Sequence, residues 1–528
     1  MEVKTLCPVT WSLLSSENQL RWLGACPSAT DARECLRSFM PKNSWLPDLA
    51  AIEQANCQLR MQPHGAEFSA SQDHVNLNPS LNVIEVAWQG LLHVLTGKPI
   101  EPHPGSEFLL FWRHPRNGFF RSESASPADL LALKIIVEQL DPRHIAAATS
   151  TPVGVIDRAL EQAIRKGLLL SPASRLVRHE EQFPLQNQLA QGYLRTAAFT
   201  LQWHITQKCD LHCRHCYDRS DQPDITLEQG VRLLDQMRDF CLKNHIYGQI
   251  SFSGGNPFLH SDFFALYQAA VERNLMVAIL GNPVAEARLQ ELIAIAPPAF
   301  YQVSLEGLES HNDEIRGAGN FNAVDAFLRV LRRHKIPSRV MLTLTENNMS
   351  EVLPLAEFLR DKVDLFTYNR LSMVGEGAAL QSALGGDYQA FIRSYIAAKS
   401  SNPIIAQKDN LINIERYNQG LELFGGCTGF GCGAAFNFVA VLPSGEVHAC
   451  RKYPSPIGNI HHHSLAEIYH SDAARAYRKG PSECADCHLR AVCGGCPAVT
   501  YGCGISPLIK KDPACFVKKT AADLLSEF

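Results

Sequence analysis

Cys209, Cys213 and Cys216 follow an apolar run, Leu201 to Thr206, that reads as a short strand, so all three fall on the loop at its end. Three cysteines at C-x3-C-x2-C spacing constrain this chain more than any other feature, because the fold must present three thiolates to one point rather than bury them as core residues. Three thiolates can hold three irons of a 4Fe-4S cube and leave the fourth iron open, whereas cubes that only carry electrons normally have four protein ligands. An open iron can bind the amino and carboxylate groups of S-adenosylmethionine and pass an electron to its sulfonium. On spacing alone, a zinc site or a set of buried thiols is the alternative.

The surroundings favour the cube. Tyr217 follows the last thiolate, where an aromatic ring can cover the cluster or the adenine. Gln249 to Ser253 reads as a second strand ending in Gly254-Gly255-Asn256-Pro257, and its two glycines let the backbone approach a ligand closely. This arrangement resembles the radical SAM superfamily, in which a Gly-Gly-Glu-Pro-like stretch follows the second strand. Asn256 stands here at the Glu position, which removes a charge and keeps a polar group. The resemblance implies that Gly254, Gly255, Asn256 and Pro257 bind S-adenosylmethionine, with its ribose and carboxylate held by Ser304 and Arg316. Glu306 reads as a polar strand-end residue, a base candidate by position only.

Further apolar strands at Met276 to Leu280, Tyr301 to Leu305, Ser338 to Leu344 and Leu365 to Tyr368 alternate with helical stretches such as Phe321 to His334 and Glu351 to Asp361. Such repetition builds an α/β fold with a parallel sheet and right-handed crossovers, whose ligands gather at the carboxyl ends of the strands. We expect a partial (β/α)6 TIM-like barrel over residues 198–385, also the fold the resemblance implies. Ser372 to Ala378, despite its glycines, reads as a plain loop.

A second cysteine constellation occupies the C-terminal third: Cys427, Cys432, Cys450, Cys484, Cys487, Cys493, Cys496 and Cys515. Eight thiols suffice for two complete 4Fe-4S cubes. Their order resembles the SPASM domain of peptide-modifying radical SAM enzymes over roughly residues 425–520, with a Cys493 to Cys496 gap one residue shorter than usual. The resemblance implies two auxiliary clusters, one on Cys427, Cys432, Cys450 and Cys496 and the other on Cys484, Cys487, Cys493 and Cys515. Cys503 competes for a place, and a zinc ribbon on Cys484, Cys487, Cys493 and Cys496 is the alternative. Cys7, Cys26, Cys35, Cys57 and Cys241 lack ligand spacing and read as core or surface residues, and His461 to His463 as a solvated turn. Cysteines mostly at cluster spacing point to a reducing cytoplasm and an anaerobic setting.

The 528 residues imply several domains, expected as a helical accessory domain (1–100), a winged-helix peptide-recognition-like domain (101–190), the barrel, and a bridging region with the SPASM domain (386–528). In the second, Phe108 to Trp112 and Gly118 to Arg121 read as strands joined by a turn, followed by helices from Ala128 to Leu140 and Pro152 to Gly167. That order resembles the element of ribosomal natural-product pathways that adds a leader peptide as an extra strand. A DNA-binding or structural wing is the alternative, and the second helix carries little basic charge for DNA. In the first domain, Trp11 to Leu23, Asp31 to Phe39 and Val83 to Leu95 have helical spacing. A net charge of −4 without a basic run advertises no nucleic acid. No apolar stretch approaches the ~20 residues that span a membrane, and the N-terminus lacks a signal peptide's apolar core.

The expected activity is that of a radical SAM enzyme generating a 5'-deoxyadenosyl radical to modify a ribosomally made, Cys-rich precursor peptide, with thioether or related crosslinks as products. Its electron donor would be a flavodoxin or ferredoxin. The stretch Gly431 to Arg451 resembles the selenobiotic or thio(seleno)oxazole-type maturase group. Two alternatives stay open: a maturase of a folded protein side chain, of the anaerobic sulfatase-activating type, and a non-enzymatic iron-sulfur scaffold for peptide binding or electron transfer.

Overall fold

The computed structural model describes residues 3–25, 31–61, 74–98, 100–178, 183 and 192–517. The chain divides into two compact units, Met1–Ala173 and Ser174–Phe528.

In the first unit, strands β2 (Asn82–Gln89), β3 (His103–Arg113) and β4 (Phe120–Ser124) form an antiparallel sheet in that order, and β1 (Asn76–Leu77) pairs with β5 (Leu169–Leu170). The helix expected over Val83 to Leu95 is therefore a strand followed by a short helix, Leu91–Leu95. Ile84, Val86 and Trp88 point inward while Val83, Glu85, Ala87 and Gln89 are exposed, so a period of two overrides the helical spacing, and Gly90 at φ 88° ends the strand. A division at residue 100 would separate strands that pair with each other.

The expected hairpin turn closes on a hydrogen bond from the Gly118 amide to the His114 carbonyl (2.8 Å). Three helices follow, Pro127–Val137, Pro142–Thr149 and Val153–Lys166, of which the middle one was not foreseen. Ser126 and Asp129 form a capping box on the first. Lys166, at the end of the third, meets Glu123 on β4 (2.6 Å) and Asp129 (2.8 Å), tying strand to helices.

The second unit holds a nine-stranded sheet. Six of its parallel strands form the barrel: β6 (Ala198–Thr206), β7 (Tyr247–Gly254), β8 (Met276–Leu280), β9 (Tyr301–Ser304), β10 (Ser338–Leu344) and β11 (Leu365–Arg370). They are ordered β11-β10-β9-β8-β7-β6, and β11 does not pair back to β6, so the barrel stays open. On the far side of β6 the sheet continues through parallel β12 (Phe438–Val441) into antiparallel β13 (Glu446–His448) and β14 (Pro456–Asn459). The cysteine-rich region thus shares a backbone ladder with the barrel. Trp203, Phe252, Tyr267 and Tyr301 fill the core between sheet and helices.

Cys7 and Cys241 are buried core residues and Cys57 is half-buried, as expected. Cys35 is also a buried core residue, and it is disulfide-bonded as well. Cys26 lies outside the described residues. The turn at His461 to His463 is exposed, and the following helix, Leu465–Tyr469, is capped by Ser464 and Glu467.

Candidate active site

The carboxyl ends of the parallel strands surround a cavity of about 370 Å³. Cys209, Cys213, Cys216 and Tyr217 line it from the loop after β6, Gly254 and Gly255 from the end of β7, and Ser304 and Arg316 from β9 and the helix beyond. The two glycines are required by close packing. A Cβ on Gly254 would lie 2.1 Å from the Thr206 carbonyl oxygen, and one on Gly255 2.1 Å from that of Lys208, so only bare backbone lets β7 dock against the cysteine loop.

Asn256 and Pro257 do not line the cavity. The Asn256 side chain accepts from the Phe258 amide (3.2 Å) and donates to Asp210 (3.2 Å), which also accepts from Asn282 (2.5 Å). Pro257 opens the short 3-10 turn that this cap stabilises. Both act on the shape of the loop next to Cys209.

Arg316 donates through Nε (2.9 Å) and Nη2 (2.6 Å) to Glu306, and its Nη1 lies 3.7 Å from the Cys213 sulfur. Glu306 is buried, faces His215 at 2.9 Å, and accepts from the Thr343 amide (2.7 Å). Burial alone would raise its carboxyl, but His215 and Arg316 outweigh that and bring it down to about 2. A carboxylate held this firmly is a poor proton acceptor; it orients Arg316 and His215 beside the cysteine loop.

Three partners of this loop escaped the sequence reading. His204 on β6 is buried, with Nε2 3.2 Å from the Tyr217 hydroxyl, and burial followed by the nearby Arg451 charge lowers its imidazole to about 3. Gly375, at φ 60°, sits where a Cβ would meet the Tyr217 carbonyl oxygen at 2.5 Å, and the Glu376 amide donates to the Cys216 carbonyl (2.8 Å). The expected plain loop is thus a backbone clamp on the cysteine loop. Arg451, adjacent to Cys450, lines the cavity, donates to Ser253 (3.3 Å), and stands over the Tyr217 ring at 6.0 Å. Glycines flanking Glu376 and a basic residue after Cys450 were the available signals.

The C-terminal thiols gather into two groups of four. Cys432 is raised to about 12 by burial first and then by the charges of Cys427, Cys450 and Cys496. Burial likewise raises Cys493, with further contributions from Cys487, Cys515 and Cys484. Cys503 instead has Asp512 and Arg370 as its charged neighbours. Among the described residues, no three His, Cys, Asp or Glu side chains converge as on a single metal ion.

The residue types fit iron-sulfur clusters. The ligand atoms are soft sulfurs, cations stand beside them (Arg316 by Cys213, Lys452 by Cys450 and Cys496), and the first three face a cavity deep enough for a cofactor.

Residues 203–359 match the model of the radical SAM superfamily, and residues 432–497 match an iron-sulfur cluster-binding domain, SPASM. The chain is a radical SAM enzyme carrying a SPASM domain, and its cofactors are 4Fe-4S clusters and S-adenosylmethionine. It is 23% identical over 340 residues to the AdoMet-dependent heme synthase of Methanosarcina barkeri, covering 60% of this chain and 95% of that protein. It is 26% identical over 339 residues to the mycofactocin maturase MftC of Mycolicibacterium smegmatis, covering 60% and 83%. Among solved structures, Streptococcus suis SuiB bound to precursor peptide SuiA shares the fold, at TM-score 0.50 and 16% identity over 78% of this chain and 95% of that one.

Proposed function

We propose that this enzyme modifies a ribosomally made precursor peptide, Cys-rich, to give a thioether or related crosslink. The observation that carries the peptide reading is the antiparallel sheet β2-β3-β4, whose outer strand β4 pairs with β3 on one side, has no strand on its other side among the described residues, and is joined by Lys166 to the helices that follow. An open edge of this kind can take an extended peptide as a further strand, with main-chain hydrogen bonds supplying affinity. MftC is named a maturase and SuiB is seen with a precursor peptide, which supports the same substrate class.

Cys209, Cys213 and Cys216 would hold the first cluster; when bound with S-adenosylmethionine, it supplies a radical able to take a hydrogen atom from a substrate carbon. Ser304 and Arg316 would hold the ribose and carboxylate of S-adenosylmethionine, and Gly254 and Gly255 bring the β7 backbone to its amino group. Glu306 keeps Arg316 in place and is itself held by His215. The two C-terminal groups of four cysteines would hold the auxiliary clusters. The donor is proposed to be a flavodoxin or ferredoxin, and the compartment the cytoplasm.

The test uses the full-length protein, anaerobically reconstituted. About twelve irons per chain and 5'-deoxyadenosine formation with dithionite are expected, falling to about eight irons and no 5'-deoxyadenosine in Cys213→Ala. Capture from native lysate should recover a short, cysteine-rich peptide. Recovery of only a folded protein would replace the peptide reading with a side-chain maturase, and a Cys213→Ala variant that still forms 5'-deoxyadenosine would sink the radical assignment of these cysteines.

A further inference from the structure

The cavity's cations are unequal in what they face. Arg316 is committed to Glu306, Arg370 to Asp409 and Asp512, and Arg219 lies 3.8 Å from Glu376. Lys452 points at the Arg370 carbonyl (3.4 Å) beside the thiols of the auxiliary group. Asp218, the one carboxylate lining the cavity among the described residues, accepts from Gln207 (2.5 Å) and the Ser220 amide (2.9 Å). Among the arginines that line the cavity, Arg451 alone meets only neutral groups, Ser253 and the face of Tyr217, and no carboxylate among the described residues. A half-buried guanidinium with this much unused donor capacity is matched by a planar, bidentate anion.

We propose that Arg451 anchors a carboxylate of the substrate, either an acidic side chain of the peptide or its free C-terminus. The inference rests on the peptide reading above. Its place follows from the geometry: Arg451 is held by Ser253 at the end of β7 and by Tyr217 beside the third thiolate, so a carboxylate on it lies in the same cavity as the cysteine loop. Arg451 would then act as a specificity-determining residue that fixes which carbon faces the radical.

The test is calorimetric titration of the reconstituted, S-adenosylmethionine-loaded full-length protein with four probes: a capped aspartyl dipeptide amide, its asparaginyl counterpart, a capped glycyl dipeptide with a free C-terminal carboxylate, and propionate. At least one acidic peptide should bind about tenfold or more tighter than the asparaginyl probe. The preferred acidic probe identifies the source of the carboxylate. That preference should vanish in Arg451→Gln and survive in part in Arg451→Lys, with iron content unchanged in both. Equal binding of acidic and neutral peptides overturns the proposal, as does a preference that persists in Arg451→Gln. Loss of S-adenosylmethionine affinity in place of probe preference would assign Arg451 to the cofactor and also overturn it. Arg451-dependent binding of propionate without binding of any peptide would uphold the carboxylate site and sink the peptide reading instead.

Discussion

His204 shows what one buried side chain does to this enzyme's response to acid. Its imidazole is enclosed on β6, Nδ1 has no hydrogen-bond partner among the described residues, and its folded pKa is about 3. An unfolded histidine titrates near 6.5, so as the pH falls below that value the unfolded chain takes up a proton that folded His204 refuses. Stability present at pH 7 and above is therefore lost as the pH falls from about 6.5 toward 3. We expect the cost of this one group to approach about 1.4 kcal/mol per pH unit below pH 6. Denaturant midpoints of the metal-free chain between pH 7.5 and 5.5 should show this dependence, and His204→Gln should flatten it; equal slopes would mean that His204 does not carry it. The sequence did not disclose His204, because its partners Tyr217 and Arg451 come from a loop 13 residues on and a domain 247 residues on. The cysteines were legible because their spacing is local and their chemistry needs them on one loop.

At the scale of elements, the cysteine loop is clamped between two glycine-bearing segments. Gly254 and Gly255 admit the loop from the β7 side, and Gly375 closes it from the segment after β11. Alanine at Gly375 places a Cβ 2.5 Å from the Tyr217 carbonyl on a backbone at φ 60°, so the segment must move. Gly375→Ala should leave circular dichroism and auxiliary-cluster iron intact while reducing 5'-deoxyadenosine formation by about tenfold or more, the effect of misplacing bound reactants by a fraction of an ångström. Full activity in that variant would show that the clamp is dispensable. The six barrel strands were legible, because fully buried parallel strands read as short apolar runs between helical stretches. Asn82–Gln89 was not: its alternating face was masked by the apolar residues of the short helix after Gly90, and the two together imitate helical spacing.

Across the second unit as a whole, one buried ion network joins the barrel to the C-terminal cysteines. Arg370, fully enclosed on β11, donates to Asp409 (2.8 Å) and to both oxygens of Asp512 (2.9 and 2.6 Å). Asp512 in turn accepts from the Cys496 amide (2.8 Å), and its carboxyl, raised by burial alone, is carried below the usual carboxylate range chiefly by Arg370. The barrel's last strand therefore fixes the backbone of a proposed cluster ligand 126 residues away in sequence. No local pattern announces such a tie, because a lone arginine at a strand end and an aspartate near the C-terminus look like solvated charges until the fold buries both. Removing Arg370 would leave two buried carboxylates uncompensated, at a cost of about 3–5 kcal/mol, whereas removing one carboxylate leaves Arg370 paired with the other. Asp512→Asn keeps the shape, leaves Arg370 paired with Asp409 and turns one of two acceptor oxygens into a donor, so it should destabilise the protein by about 1.5–3 kcal/mol and loosen Cys496. Iron should then fall from about twelve toward about eight per chain, with the first cluster still able to cleave S-adenosylmethionine. The triple variant Arg370→Met, Asp409→Leu and Asp512→Leu removes all three charges and should recover much of the stability without restoring the lost irons, since leucine cannot accept from the Cys496 amide. Iron retained in Asp512→Asn would mean that the network only stabilises the fold; iron lost in both variants, with stability recovered only in the triple one, would separate the positioning of Cys496 from the energy of the network.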